Sequence, residues 1–149
     1  MSVYDTTLLY NRNMKIFVFI LITILLFSAN CEAKHLYKEA VYQNYWCDKN
    51  GGVAEYKLQD KSRVDCLLPD MAVEFDFARK RDECLGQALR YSAYTKKPAA
   101  CCLIIEQKKD YKYYYQLRYT IQKKGLDVKL FTITPSALIR AGILSDNVQ

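Results

Sequence analysis

Three acidic residues on two neighbouring strand-like segments are the residues best suited to chemistry. Asp65 lies in the segment 63–68, and Glu74 and Asp76 lie in the segment 72–77. Because alternate residues of a strand share a face, Glu74 and Asp76 are expected to project from the same side. Two carboxylates on one face repel each other, and burying them is unfavourable unless a cation pairs with them. The pattern therefore predicts a site for a divalent metal ion.

A polar stripe on the helix predicted over 79–95 follows these acids. Its members, Lys80, Cys84, Gln87 and Tyr91, are spaced four, three and four residues apart, which places them on one helix face. For any single residue, a solvated surface position is the commoner interpretation. However, the segment 72–77 is otherwise strongly apolar, and the helix around Gln87 and Tyr91 is rich in Leu, Ala and Gly. Both observations favour a half-buried stripe beside the acids.

These residues resemble the PD-(D/E)XK (restriction-endonuclease-like) nuclease superfamily. The resemblance is closest to a group of secreted or periplasmic proteins, and it covers about residues 37–134. The matching positions in this chain are Trp46-Cys47, Gly51-Gly52, Glu55-Tyr56, 63–66, 72–78, Lys80, Gly86-Gln87 and Tyr91. Against the group's pattern the match is specific, whereas the acid-acid-lysine motif of the whole superfamily is short and degenerate.

The resemblance implies a fold and an activity. The fold would be an α/β three-layer sandwich with a central mixed β-sheet and the order αβββαβαβ, formed by residues 34–135. The activity would be metal-dependent hydrolysis of phosphodiester bonds in DNA or RNA. Asp65 and Glu74 would hold Mg²⁺, or Mn²⁺ in its place, as hard oxygen ligands. Asp76 would be a further ligand, and Glu39 on the first helix a secondary one.

One departure from the superfamily pattern concerns the lysine. The superfamily usually has Lys two residues after the second acid, and that position here is Asp76. A lysine from the following helix is the expected substitute, so Lys80 would orient or activate the attacking water, with Arg81 as an alternative. Gln87 and Tyr91 would position the site or the nucleic-acid backbone.

A second hypothesis is a catalytically inactive nuclease-like domain that binds a polyanion or a protein partner. The missing lysine at position 76 favours it, and fold alone does not establish activity. Other enzyme classes fit less well. His35 is the only histidine, and the chain has neither a Gly-x-Ser-x-Gly motif nor a C-x-x-C redox motif.

Residues 1–33 have the pattern of a signal peptide. Arg12 and Lys15 precede an apolar run over 16–27, which is shorter than the about 20 residues that span a membrane. Small residues near Ala33 favour cleavage after that residue, although an uncleaved anchor or a lipoprotein attached at Cys31 are alternatives. The exported protein would be periplasmic or secreted, with no membrane span after cleavage.

The chain from Lys34 onward has 116 residues and keeps a net charge of +6, which suits a polyanionic partner such as nucleic acid or an anionic membrane. It has five cysteines. In an oxidising compartment we expect Cys47 and Cys66 to pair around the Gly-rich turn and first strand, and such a loop contributes about 3 kcal/mol. Cys101 and Cys102 are adjacent on a strand and should face opposite ways, and at least one thiol stays free.

The remaining elements follow from periodicity and turn residues. Tyrosines on the helix predicted over 111–124 would either stack on bases or cover the sheet, and packing is favoured. The predicted helices are 34–46, 79–95 and 111–124, the predicted strands are 53–58, 63–68, 72–77, 99–105 and 126–134, and 136–149 is a short helix or a tail.

Overall fold

The computed structural model describes residues 35–144. The predicted signal peptide over 1–33, its cleavage position and residues 145–149 lie outside them. The helices are α1 (Glu39–Lys49), α2 (Arg81–Thr95), α3 (Tyr111–Lys124) and α4 (Pro135–Arg140). The strands are β1 (Val53–Lys57), β2 (Arg63–Leu67), β3 (Ala72–Phe77), β4 (Ala99–Ile104) and β5 (Val128–Ile133). Short 3-10 turns at Ala78–Lys80 and Lys108–Asp110 precede α2 and α3.

The strands form one mixed sheet in the order β1-β2-β3-β4-β5. The first three strands are an antiparallel meander, and β3, β4 and β5 are parallel. Each parallel pair is connected through a helix, α2 or α3, as a parallel crossover requires. The prediction of an α/β fold with a mixed sheet is confirmed.

The core has two parts, one on each face of the sheet. Residues 99–104 of β4 are buried throughout and alternate between them. Ala100, Cys102 and Ile104 pack with α1 and α4, whereas Ala99, Cys101 and Leu103 pack with α2 and α3. This alternation is the two-residue period of a strand that is covered on both sides. Helices therefore lie against both faces, which is compatible with a three-layer architecture.

A disulfide between Cys47 and Cys66 joins the end of α1 to β2, as predicted. Gly52 lies against it, and a Cβ atom there would be only 2.5 Å from Cys66 Sγ and 2.7 Å from Cys47 Sγ. The other described cysteines, Cys84, Cys101 and Cys102, are free and buried. Cys101 and Cys102 belong to opposite core clusters, which confirms that they face opposite ways.

The first helix begins at Glu39, not at residue 34 as predicted, because a distant carboxylate holds the preceding segment. Glu106 accepts hydrogen bonds from Leu36 N (2.9 Å) and Tyr37 N (3.4 Å). The same carboxylate contacts His35 Nδ1 at 3.0 Å and accepts a hydrogen bond from Tyr42 Oη at 3.0 Å. These contacts satisfy backbone donors without a helix, and nothing in the local sequence predicts them.

Two further boundaries differ from the sequence analysis. Residues 78–80 form a 3-10 turn, so Lys80 precedes α2 and is not part of its α-helical stripe. Pro135 opens α4 at a position where proline is favoured, since the missing N–H has no partner there in any case. Leu138 of α4 is fully buried. Among residues 35–144, no helix is both long enough and apolar enough to cross a membrane.

Candidate functional site

Strand β3 presents two acids on one face and apolar side chains on the other, as its alternation predicts. Val73 and Phe75 belong to the core beneath α1 and α4. Glu74 and Asp76 occupy the opposite face, the side of α2, and are only 4% and 3% exposed. Both carboxylates are therefore as buried as the hydrophobic core around them.

Asp65 reaches this site because β2 separates from β3 at that residue. The ladder between the two strands includes Cys66 with Val73 and Leu67 with Ala72. Beyond it, Phe75 N donates to Asp65 Oδ2 at 2.8 Å, so a carboxylate takes the place of a backbone carbonyl. The acid is thereby fixed beside β3 by main-chain geometry.

Two further residues, Glu55 and Gln43, lie beside Asp65 where β2 separates from β3. The sequence analysis did not assign them to the site. Glu55, opposite Asp65 on β1, has φ of 54°, a left-handed conformation that is unfavourable for a residue with a Cβ atom. Gln43 on α1 is buried, and its Nε2 donates to Glu55 Oε1 (2.9 Å) and to Asp65 O (2.8 Å). Strained backbone conformations concentrate at functional sites, because the surrounding contacts must enforce them. The only sequence signal was that Glu55 belongs to the matching pattern.

The acids perturb one another strongly. Burial, followed by the charges of Asp65, Asp76 and Glu39, raises the pKa of Glu74 well above its usual range. Burial also raises the pKa of Asp76 to about 7, with Glu39 adding to the effect and Lys80 opposing it. The pKa values of Asp65 and Glu39 are raised as well, again chiefly by burial. Such clusters of raised carboxyl pKa values are typical of functional sites.

Lys80 is the cation that faces the cluster. Its Nζ lies 4.0 Å from Asp76 Oδ1 and 3.6 Å from Glu83 Oε2, and its side chain is more than half exposed. Arg81, the alternative, turns away: it pairs with Asp82 at 3.3 Å and lies over the ring of Tyr113 at 5.2 Å. One exposed lysine cannot balance four ionised carboxylates at Glu39, Asp65, Glu74 and Asp76, so the cluster holds protons instead.

Gln87 and Tyr91 lie on the side of α2 that faces the acids. Tyr91 is buried; its hydroxyl accepts a hydrogen bond from Arg90 Nη2 at 2.9 Å and donates to Gln87 Oε1 at 3.4 Å. Burial first, and then the negative charges of Glu74 and Asp65, raise the pKa of Tyr91. Of the predicted stripe, Cys84, Gln87 and Tyr91 lie on α2 and Lys80 precedes it, and Tyr91 is close enough to the acids for their charge to affect its pKa.

The carboxylate oxygens of the cluster are suitable donors for a divalent ion. An ionised Glu74 would leave its buried Oε2 without a hydrogen-bond partner within residues 35–144, whereas a protonated Glu74 hydrogen-bonds to Asp65 and lowers the pKa of that carboxyl. Carboxylate oxygens are the ligands that Mg²⁺ and Mn²⁺ prefer. Across the same residues, no three His, Cys, Asp or Glu side chains are already arranged as a metal site. The donor chemistry thus fits the ion, and binding requires carboxylate rotation and loss of protons.

Comparisons of the chain with protein-family models, with curated proteins and with solved structures return no match.

Proposed function

We propose that this protein is an exported nuclease that hydrolyses phosphodiester bonds with the help of Mg²⁺ or Mn²⁺. The observation that supports it most is the cluster of four acids with raised pKa values, in which Glu74 and Asp76 are buried and an ionised Glu74 Oε2 has no hydrogen-bond partner among residues 35–144. A stable fold gains nothing from carboxylates whose charge is disfavoured by burial and by one another. A divalent cation would remove both penalties.

Asp65 and Glu74 would hold the ion, with Asp76 and Glu39 as further ligands. When bound, the ion would lower the pKa of a coordinated water and offset charge on the phosphate. Lys80 would donate to the water or to a phosphate oxygen, because its exposed ammonium group can reach past Asp76. Gln87 and Tyr91 would position the site or the nucleic-acid backbone through hydrogen bonds, with Tyr91 holding Gln87 in place.

The architecture supports this assignment at a finer level. A helix precedes the three-strand meander, and the two acids of β3 lie directly before the turn that carries Lys80. The PD-(D/E)XK resemblance implies this chain order. We therefore assign the fold to the restriction-endonuclease-like group as part of the same proposal.

The test is a nuclease assay on the whole chain, expressed through an oxidising compartment so that Cys47 and Cys66 pair. Circular and linear DNA and RNA are incubated with Mg²⁺, Mn²⁺ or chelator. We expect metal-dependent cleavage that Asp65→Asn and Glu74→Gln reduce by about 100-fold or more, as loss of an electrostatic contact in the transition state does. Asn at position 65 keeps an acceptor for Phe75 N, so the change tests charge and not folding.

Asp127→Asn is the matched control, since this aspartate is exposed and lies between α3 and β5, outside the acid cluster. Cleavage in chelator, or undiminished cleavage by Asp65→Asn, would contradict the proposal. So would a folded, oxidised protein that neither cleaves nor binds metal by calorimetry.

The inactive binding module stays the second candidate, and the position of Lys80 favours it. Part of that ammonium charge is taken by Glu83, the nearer of its two carboxylates. Binding of nucleic acid without cleavage at any metal concentration would select this candidate.

A further inference from the structure

Helix α3 has five tyrosines, and the structure separates them into two groups. Tyr113 and Tyr114 pack against the core beneath α3, as expected for residues that cover the sheet. Tyr111, Tyr115 and Tyr119 are 38%, 60% and 62% exposed, so packing does not account for them. They recur every four residues and form one stripe along the helix, with a rise of about 6 Å between neighbouring rings.

The same helix is strongly basic. It has four cations and no acid over its 14 residues; the cations are Lys112, Arg118, Lys123 and Lys124. Lys123 Nζ lies 5.7 Å from the ring of Tyr119, so charge and aromatic surface are adjacent. This composition complements a ligand with both phosphates and flat rings.

A shallow cavity lies beside this stripe. It measures about 390 Å³ and lies between Arg81 at the start of α2 and Tyr115 and Tyr119 on α3. Asp82 also lines the cavity and pairs with Arg81, and the lining residues from α3 are uncharged, so the positive charge near the stripe comes from the other residues of α3.

We propose that this face of α3 binds single-stranded nucleic acid. Bases stack on Tyr115 and Tyr119, and phosphates contact the neighbouring lysines and arginines. A single strand is favoured because the flat faces of bases are available for stacking only when the bases are unpaired. The choice of nucleic acid as ligand rests on the proposed function.

An anionic membrane is the competing occupant, and the exposed side chains of α3 argue against it. The exposed large hydrophobic residues of this helix are all tyrosines. A helix that lies in a membrane surface presents Leu, Phe or Trp on its apolar face instead.

The test is fluorescence anisotropy in chelator, so that binding is measured without cleavage. The labelled probes are single-stranded DNA and RNA 12-mers and a DNA duplex. We expect the pair Tyr115→Ala and Tyr119→Ala to weaken single-strand binding about tenfold or more, as loss of base stacking does. The pair Tyr115→Phe and Tyr119→Phe keeps the rings and should bind as the unchanged protein does. Tyr94→Ala is the matched control, because Tyr94 is 54% exposed but lies on α2 outside the cavity.

Salt dependence gives a second measurement. Lys123→Ala should reduce the slope of log affinity against log salt by about 0.7, the value for one phosphate contact on a single strand. Equal affinity of the Ala pair, tighter binding of the duplex, or binding of phosphatidylserine vesicles that the same Ala pair abolishes would each overturn the proposal. If the protein cleaves nucleic acid with metal but the Ala pair binds as the unchanged protein does, the proposed binding surface is wrong and the proposed nuclease activity stands. If the Ala pair loses binding and the unchanged protein shows no cleavage, the proposed binding surface is supported and the proposed nuclease activity is wrong.

Discussion

The two faces of β3 differ sharply in what they bury. On one face Phe75 packs with its ring centroid 5.5 Å from that of Trp46, within the core cluster that contains both disulfide sulfurs. On the other face, one residue away, Glu74 and Asp76 are equally buried among carboxylates. The same strand thus carries groups that stabilise the fold and groups that oppose it.

The difference separates residues that are explained by the stability of the fold from residues that require another explanation. Burial of an aromatic ring contributes about 2–3 kcal/mol, whereas burial of an unpaired carboxylate is unfavourable. Local features that oppose stability are expected at functional sites. Substitutions on the two faces should therefore change the free energy of unfolding in opposite directions.

The largest effect is expected on the apolar face. Phe75→Ala removes a fully buried ring between α1 and the sheet. We expect a loss of about 3–5 kcal/mol in the free energy of unfolding, from lost transfer energy and from the cavity left behind. Urea denaturation in chelator measures it. A loss below about 1 kcal/mol would show that the two faces are not energetically distinct.

The disulfide should come next. Replacement of Cys47 and Cys66 by Ala releases a loop with a sequence separation of 19 and should lower the free energy of unfolding by about 3 kcal/mol. The pair Cys84→Ala and Cys101→Ala is a comparison that also removes two buried sulfurs but no cross-link. Denaturation with and without reductant separates the two. Reductant should change only the protein that has the disulfide.

A substitution on the acidic face should raise the free energy of unfolding. The pKa of Asp76 is raised from 3.8 to about 7, so this carboxyl stabilises the fold below pH 4 and the stabilisation is lost as the pH rises through 7. Asp76→Asn removes this loss and keeps an acceptor for Phe77 N. In chelator we expect the variant to be more stable than the unchanged protein by about 2 kcal/mol at pH 8 and equal to it within about 0.5 kcal/mol at pH 4. A variant that is less stable at pH 8 would contradict the unfavourable burial of this charge.

A bound metal should reduce the contrast between the faces. Mn²⁺ at ten times its dissociation constant should raise the free energy of unfolding by about 1.4 kcal/mol at pH 8. The increase should be smaller at pH 5, where the carboxylates hold protons that the metal must displace. Thermal unfolding with and without Mn²⁺ measures it, and Phe75→Leu provides a control on the apolar face. If Mn²⁺ stabilises Phe75→Leu as much as it stabilises the unchanged protein but does not stabilise Glu74→Gln, the ion binds on the acidic face.

The sequence was informative where one strand or helix determines its own environment. Alternation and apolar content predict the bounds of β3 and the shared face of Glu74 and Asp76. The helix over 111–124 was also placed correctly, because Gly125 ends it in a left-handed conformation. These features depend on residues close together in the chain.

Features that depend on distant contacts were missed. Glu106 holds the segment before α1 from about 70 residues away, and the sequence predicts a helix there. The strained Glu55 and its contact with Gln43 arise only when β1, β2 and α1 meet. The exposure of Tyr115 and Tyr119 depends on how α3 lies against the sheet, which periodicity alone does not determine.

The positions of the free cysteines set a condition on how this chain acquires its disulfide. Cys101 and Cys102 are adjacent on β4, so a partly folded chain exposes both thiols to oxidant beside Cys47 and Cys66. Once β4 lies between β3 and β5, each thiol is buried on its own side of the sheet. Assembly of the parallel strands should therefore protect both thiols from mispairing, and such long-range pairing is slow. Production of this protein should benefit from a redox buffer that reshuffles early mispairs, and from replacement of Cys101 and Cys102 by small apolar residues.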